Sequence, residues 1–142
     1  MSSKLEKVLY TAHTTTVGAR SGHGRSDDGS LDVQLSTPGA GKPGTNPEQL
    51  FAVGYSACFM GAVGLAGKKL AIRIPEETAV DASVSLGKVD NDSHFALAVT
   101  LHVRLPGLSE AQRETLLATA HATCPYSRAI TGNVEVTLLS QG

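Results

Sequence analysis

The spacing of apolar positions changes several times along the chain, and each change predicts an element. Residues 6–17, EKVLYTAHTTTV, are dense in β-branched and aromatic types and predict a first strand. Asp28-Gly29 is a hairpin signal between short strands at 22–25 and 31–35. In the second of these Leu31, Val33 and Leu35 alternate with Asp32, Gln34 and Ser36, giving one wet face. A Pro/Gly loop, TPGAGKPG, follows at 37–44.

The stretch TNPEQLFAVGYSACF then opens a helix expected over 47–69. Asn46 suits the N-cap, Pro47 the first helical position and Gln49 a capping box, while Glu48 places negative charge in the positive first turn. Leu50, Phe51, Val53, Gly54, Ala57, Cys58, Gly61, Ala62 and Leu65 form an apolar stripe. The opposite face, with Ala52, Phe59, Met60 and Val63, is apolar as well. Such a helix is central to its domain or is covered by a second subunit.

Beyond Pro75, residues 78–86 alternate as a strand, 88–93 read as a turn, and 95–105 alternate again, which predicts a long antiparallel hairpin. Ser109, with Gln112 three residues on, opens a second helix running to about Ala122. Its expected apolar stripe is Leu108, Ala111, Thr115, Leu116, Ala118, Thr119 and Ala122. Residues 134–139 form a last strand. The order predicts an α+β fold, a mainly antiparallel sheet packed with two main helices, in a single domain over 1–142.

Composition narrows the function classes. The chain has 142 residues, 41% hydrophobic and 18% charged, with net charge −1, so it reads as globular. Without a Lys/Arg cluster, nucleic acid is not an expected partner. No membrane span is expected, on the reading that charges interrupt every apolar run of roughly 18 residues. The N-terminus has no apolar signal-peptide core, so a cytoplasmic location is expected and the two cysteines start as thiols.

Those cysteines are the candidate chemistry. Cys58 reads as a buried structural thiol or as a reactive one. Reactivity requires a cation to favour the thiolate, and Arg20, Arg25, Arg73, Arg104 and Arg128 are the guanidinium candidates. Arg20 stands between Gly18 and Gly22, where the backbone could approach the helix closely. Cys124-Pro125, at the exit of the second helix, is a second buried thiol or a resolving one. Glu48 lies about 15 Å along the helix axis from Cys58 and about 80° around it, so it cannot touch that sulfur within one regular helix. Its ordinary role is first-turn charge. If it acts at the thiol, an intertwined dimer is the simplest explanation. The five histidines show no metal spacing, no metal is expected, and His121, three residues before Cys124, reads as a helix C-terminal residue.

With LYTAHTTTVGARSG, TNPEQLFAVGYSACF, LPGLS and AHATCPYSRAITGNVEV, the chain resembles the organic hydroperoxide resistance family of the osmotically inducible protein C superfamily over nearly its whole length. GARSG and SRAITGN depart from the usual family pattern. The resemblance implies a thiol peroxidase that reduces organic hydroperoxides to alcohols. Cys58 would be the peroxidatic cysteine, Cys124 the resolving one, Arg20 the activator of the thiolate and Glu48 the residue holding that arginine. It also implies an intertwined homodimer with no bound cofactor, recycled by the dihydrolipoamide of lipoylated proteins. An apolar approach lined by Phe51, Phe59 and Met60 would favour alkyl hydroperoxides. The alternatives are a non-catalytic thiol redox sensor and a sister-branch peroxidase of the same superfamily.

Overall fold

A computed structural model describes residues 2–142, which fold as two compact units divided at Pro47. The first unit is a three-stranded antiparallel sheet of β1 (Thr14–Val17), β2 (His23–Ser26) and β3 (Asp32–Gln34), in that order. The first strand is shorter than the sequence predicts. Thr14–Val17 pair with β2, the His13 carbonyl adds one bond by accepting from the Asp27 N–H at 3.0 Å, and residues 6–12 join no ladder despite their strand propensity. Leu5, Val8, Leu9 and Tyr10 are exposed.

The β2–β3 hairpin turns where Asp28-Gly29 predicts. Gly29 takes a φ of 75°, and the Asp28 carboxylate accepts from the Ser26 hydroxyl at 2.7 Å and the Ser30 N–H at 2.9 Å. Those donors, Ser26 first, hold the Asp28 carboxyl below its ordinary value. Between β1 and β2 the chain makes one turn of 3-10 helix, Ala19–Ser21. Gly18 enters it at φ 75°, and a Cβ on Gly22 would strike the Val17 carbonyl oxygen. Both glycines are therefore required by the turn itself.

The second unit begins with α1 (Pro47–Leu70), continues through the hairpin β4 (Ala79–Val89) and β5 (His94–Arg104), then α2 (Glu110–Thr123), α3 (Pro125–Ile130) and β6 (Glu135–Gln141). The hairpin is in register from Ala79 opposite Arg104 to Val89 opposite His94, and Asp90, Asn91 and Asp92 turn it with three left-handed residues. The pairing is mainly antiparallel, as expected, and the last strand is the exception: β6 lies parallel to β5, giving the order β4-β5-β6. Parallel neighbours need a long crossover, and α2 with α3 supplies it. The fold is α+β, as predicted, with a third short helix that the sequence pattern did not indicate.

Val99, Leu101, Val103 and Leu105 alternate into the core and meet Tyr55, Phe59, Val63 and Ala66 of α1 and Leu116, Leu117 and Ala120 of α2 in one cluster. Both helical stripes therefore differ from the sequence reading. On α1 the buried set is Tyr55, Phe59, Ala62, Val63, Ala66 and Gly67, whereas Val53, Ala57, Gly61 and Leu65 are exposed in this chain. On α2 the large leucines face inward and Ala111, Thr115, Ala118 and Ala122 face outward. A face of alanines and threonines has little apolar area to drive its burial, so Leu116 and Leu117 set the rotation.

The premise behind the span expectation is corrected too. Residues 50–67 are an unbroken uncharged run, and α1 reaches a mean hydropathy of 1.6, long and apolar enough by composition to cross a membrane. In this fold its Tyr55, Phe59 and Val63 form the core of the second unit.

The second helix starts as predicted. The Ser109 hydroxyl accepts from the Gln112 N–H at 3.2 Å, and the Gln112 side chain accepts from the Ser109 N–H at 3.0 Å. Ser109→Ala is expected to lower stability by about 1 kcal/mol, read as a lower denaturant midpoint at unchanged slope.

Candidate active site

Three helices converge on the two cysteines. Cys58 lies midway along α1, one turn beyond Tyr55, and its side chain is partly buried. Cys124 is fully buried at the joint where α2 ends and α3 begins, serving as C-cap of one and N-cap of the other. The Pro125 ring suits the first position of α3, and its missing N–H is not needed there. Both residues are free thiols, and their sulfur atoms stand 3.4 Å apart. A disulfide requires about 2.05 Å, so a small side-chain movement suffices to join them.

Burial pushes the Cys58 thiol above its ordinary value. The backbone N–H of Tyr126, in the first turn of α3, acts in the opposite sense by donating to the sulfur. The adjacent Cys124 side chain adds to the upward shift. A thiolate at Cys58 therefore needs help from a cation. Arg104 is engaged with Asp81 at 2.8 Å across β4 and β5, while Arg73 lines a separate groove with Lys68 beyond the end of α1. Arg128 is exposed in the last turn of α3. In the first unit, Arg25 lies 3.8 Å from Asp32, and Arg20 occupies the 3-10 turn between β1 and β2.

Glu48 begins the same helix that carries Cys58. Because α1 is unbroken from Pro47 to Leu70, the rise of about 15 Å between them holds. The aromatic residues separate into different roles. Phe51 meets Tyr126 and Tyr55, each at 5.9 Å between ring centroids, beside the thiol pair. Gly54 makes room for this group, since a Cβ there would come within 3.1 Å of the Tyr126 hydroxyl. Phe59 is fully buried against Tyr55 in the core, so it lines no open approach. Met60 faces a different groove, of about 340 Å³, with Ala52, Val53, Ser56, Ala57, Val80 and Ala82.

Sequence reasoning missed four residues here: Tyr55, His121 as a site residue, Tyr126 and Ser127. The Tyr55 hydroxyl and Ser127 Oγ are 2.6 Å apart and buried, and Ser127 Oγ is 2.9 Å from His121 Nδ1. The available signal was spacing, because Tyr55, His121 and Ser127 each stand three residues from a cysteine and Tyr126 stands two. Among the described residues no cluster of His, Cys, Asp and Glu could hold a metal ion.

The molecule is an α+β protein with a dithiol, one thiol buried and one partly buried, at the meeting of three helices. The chain belongs to the OsmC-like family, whose sequence model matches residues 39–139, and within it to the organic hydroperoxide resistance branch. It is 47% identical over 137 residues to the organic hydroperoxide resistance protein of Xanthomonas axonopodis pv. citri, covering 94% of this chain and 95% of that one. The organic hydroperoxide resistance protein OhrB of Bacillus subtilis is 46% identical over 134 residues, covering 92% and 97%. The crystal structure of OhrB superposes with a TM-score of 0.88 over 94% of this chain and 100% of that one.

Proposed function

We propose that the protein detoxifies organic hydroperoxides as a cysteine-based peroxidase. The observation that carries this reading is the 3.4 Å approach of the Cys58 and Cys124 sulfurs. Family membership supplies the substrate class, since the relatives are named for organic hydroperoxide resistance.

The chemistry follows from the pair. The Cys58 thiolate attacks the distal peroxide oxygen, the O–O bond breaks, and the alkoxide leaves as an alcohol after taking a proton. The resulting Cys58 sulfenic acid meets the Cys124 thiol, expels water and forms a disulfide. An external dithiol reopens it by exchange, becoming a disulfide itself. Dihydrolipoamide on a lipoylated protein is the proposed reductant, with no bound cofactor in the protein.

We assign to Arg20 the permanent charge that offsets the burial penalty on the Cys58 thiolate, and to Glu48 the carboxylate that holds Arg20. At about 15 Å along α1, Glu48 acts through that arginine rather than on the sulfur. The exposed apolar face of Val53, Ala57, Gly61 and Leu65 supports a homodimer in which α1 is shared. A cytoplasmic location fits the reduced thiols that the cycle starts from.

The test compares tert-butyl hydroperoxide with hydrogen peroxide, each with dihydrolipoamide or with thioredoxin. Faster consumption of the alkyl peroxide with dihydrolipoamide is expected. Equal rates on both peroxides would place the protein in a sister branch, and no turnover with either reductant would leave a thiol sensor.

A further inference from the structure

Outside the thiol pair, the second unit holds a hydrogen-bonded polar chain, Tyr55–Ser127–His121. Tyr55 and Ser127 have no solvent exposure, so water does not compete for their hydrogen bond. Burial, its largest influence, pushes the Tyr55 hydroxyl above its ordinary value and keeps it protonated.

The spacing ties this group to the cysteines. Tyr55 precedes Cys58 by three residues on α1, His121 precedes Cys124 by three on α2, and Ser127 follows Cys124 by three on α3. Three residues are about 4.5 Å along a helix and nearly one turn, so Tyr55 and Cys58 lie on neighbouring positions of one side of α1.

Cys124 itself belongs to no helix interior. It is a joint with φ −58° and ψ 123°, bonded to α2 through its N–H on the Ala120 carbonyl at 2.7 Å and to α3 through its carbonyl on the Arg128 N–H at 2.9 Å. These two bonds fix it to its own neighbours and do not fix its distance from α1. The Ser127 hydroxyl supplies such a link, reaching Tyr55 of α1 and His121 of α2 from one atom.

We propose that Ser127 is a positioning residue for disulfide closure, holding the Cys124 joint against α1 so that its sulfur meets Cys58. This rests on the peroxidase reading above. In closure the Cys124 sulfur attacks the Cys58 sulfur of the sulfenic acid. The S–O bond breaks as the S–S bond forms, and the departing hydroxide takes the Cys124 proton and leaves as water. Both electrons needed for the S–S bond come from the Cys124 sulfur, so no further reductant enters. A step between two side chains on different helices is sensitive to small misplacement, whereas attack of Cys58 on a diffusing peroxide does not depend on where Cys124 lies.

The experiment mixes reduced full-length protein with one equivalent of tert-butyl hydroperoxide by rapid quench. Two rates are followed, the loss of peroxide and the appearance of the Cys58–Cys124 disulfide. A parallel sample in excess peroxide is weighed by mass spectrometry for sulfinic acid on Cys58. In Ser127→Ala the ratio of closure rate to peroxide-loss rate is expected to fall about tenfold, with sulfinic acid accumulating. Tyr55→Phe keeps the ring and removes the same hydrogen bond, so it should show the same split even if Ser127→Ala fails to fold.

A lower melting temperature with an unchanged ratio in Tyr55→Phe would overturn the proposal, since that is the result of a merely structural bond. If the unsubstituted protein consumes peroxide yet forms no Cys58–Cys124 disulfide, the peroxidase cycle falls and this proposal with it. A normal disulfide with an unchanged ratio removes only the role of Ser127.

Discussion

Cys58→Ser is expected to reduce organic-hydroperoxide turnover by at least about a thousandfold, the scale on which loss of a covalent nucleophile is felt. The substitution replaces sulfur by oxygen and leaves α1 otherwise intact, because Cys58 is only partly buried and the core on that helix is built from Tyr55, Phe59, Val63 and Ala66. A serine hydroxyl is not ionised to any useful extent near neutral pH and is a poor nucleophile towards peroxide oxygen. Peroxide consumption in the presence of dithiol is the measurement. Retained turnover would remove Cys58 from the chemistry and with it the proposed function.

Cys124→Ser is expected to split the cycle rather than abolish it. Cys58 remains free to take oxygen from one equivalent of hydroperoxide, so a first burst survives. The sulfur that stood 3.4 Å away is gone, and no disulfide can close. Reduction by a dithiol must then begin on the sulfenic acid itself, and in excess peroxide Cys58 advances to sulfinic acid, which thiols do not reverse. Burst stoichiometry and the mass of the Cys58 peptide read the two parts separately. Sustained turnover at the unsubstituted rate would show that Cys124 is a packing residue. Because Cys124 is fully buried, serine there also places a hydroxyl in an apolar joint, so the melting curve is recorded alongside.

Much of the fold was legible because it is written in short-range preferences. The Asp28-Gly29 turn, the Ser109–Gln112 capping box and the long hairpin each depend on residues close in sequence or facing across one register, and all appear where the pattern placed them. The first strand came out short for the complementary reason. Residues 6–12 have the composition of a strand but pair with no strand among the described residues, and propensity does not substitute for a hydrogen-bonding partner. The third helix, Pro125–Ile130, was hidden by its brevity, although Pro125 after Cys124 was a usable start signal.

The site divides along the same line. Local pattern was enough to name the residues capable of thiol chemistry, the helix that carries Cys58, and the separation of Glu48 from that sulfur along an unbroken axis. The buried face of α1 was set by long-range packing. With apolar residues on every side the helix has almost no amphipathic gradient, and the choice of Tyr55, Phe59 and Val63 was made by the sheet and α2 that pack against it. Tertiary structure also brought Cys124 to Cys58 across 66 residues of chain and joined Tyr55, Ser127 and His121 beside them. Helix periodicity and capping act over a few residues and can be read from neighbours. A distance of 3.4 Å between two sulfurs is the sum of every packing contact between the helices that carry them, and no local pattern encodes it.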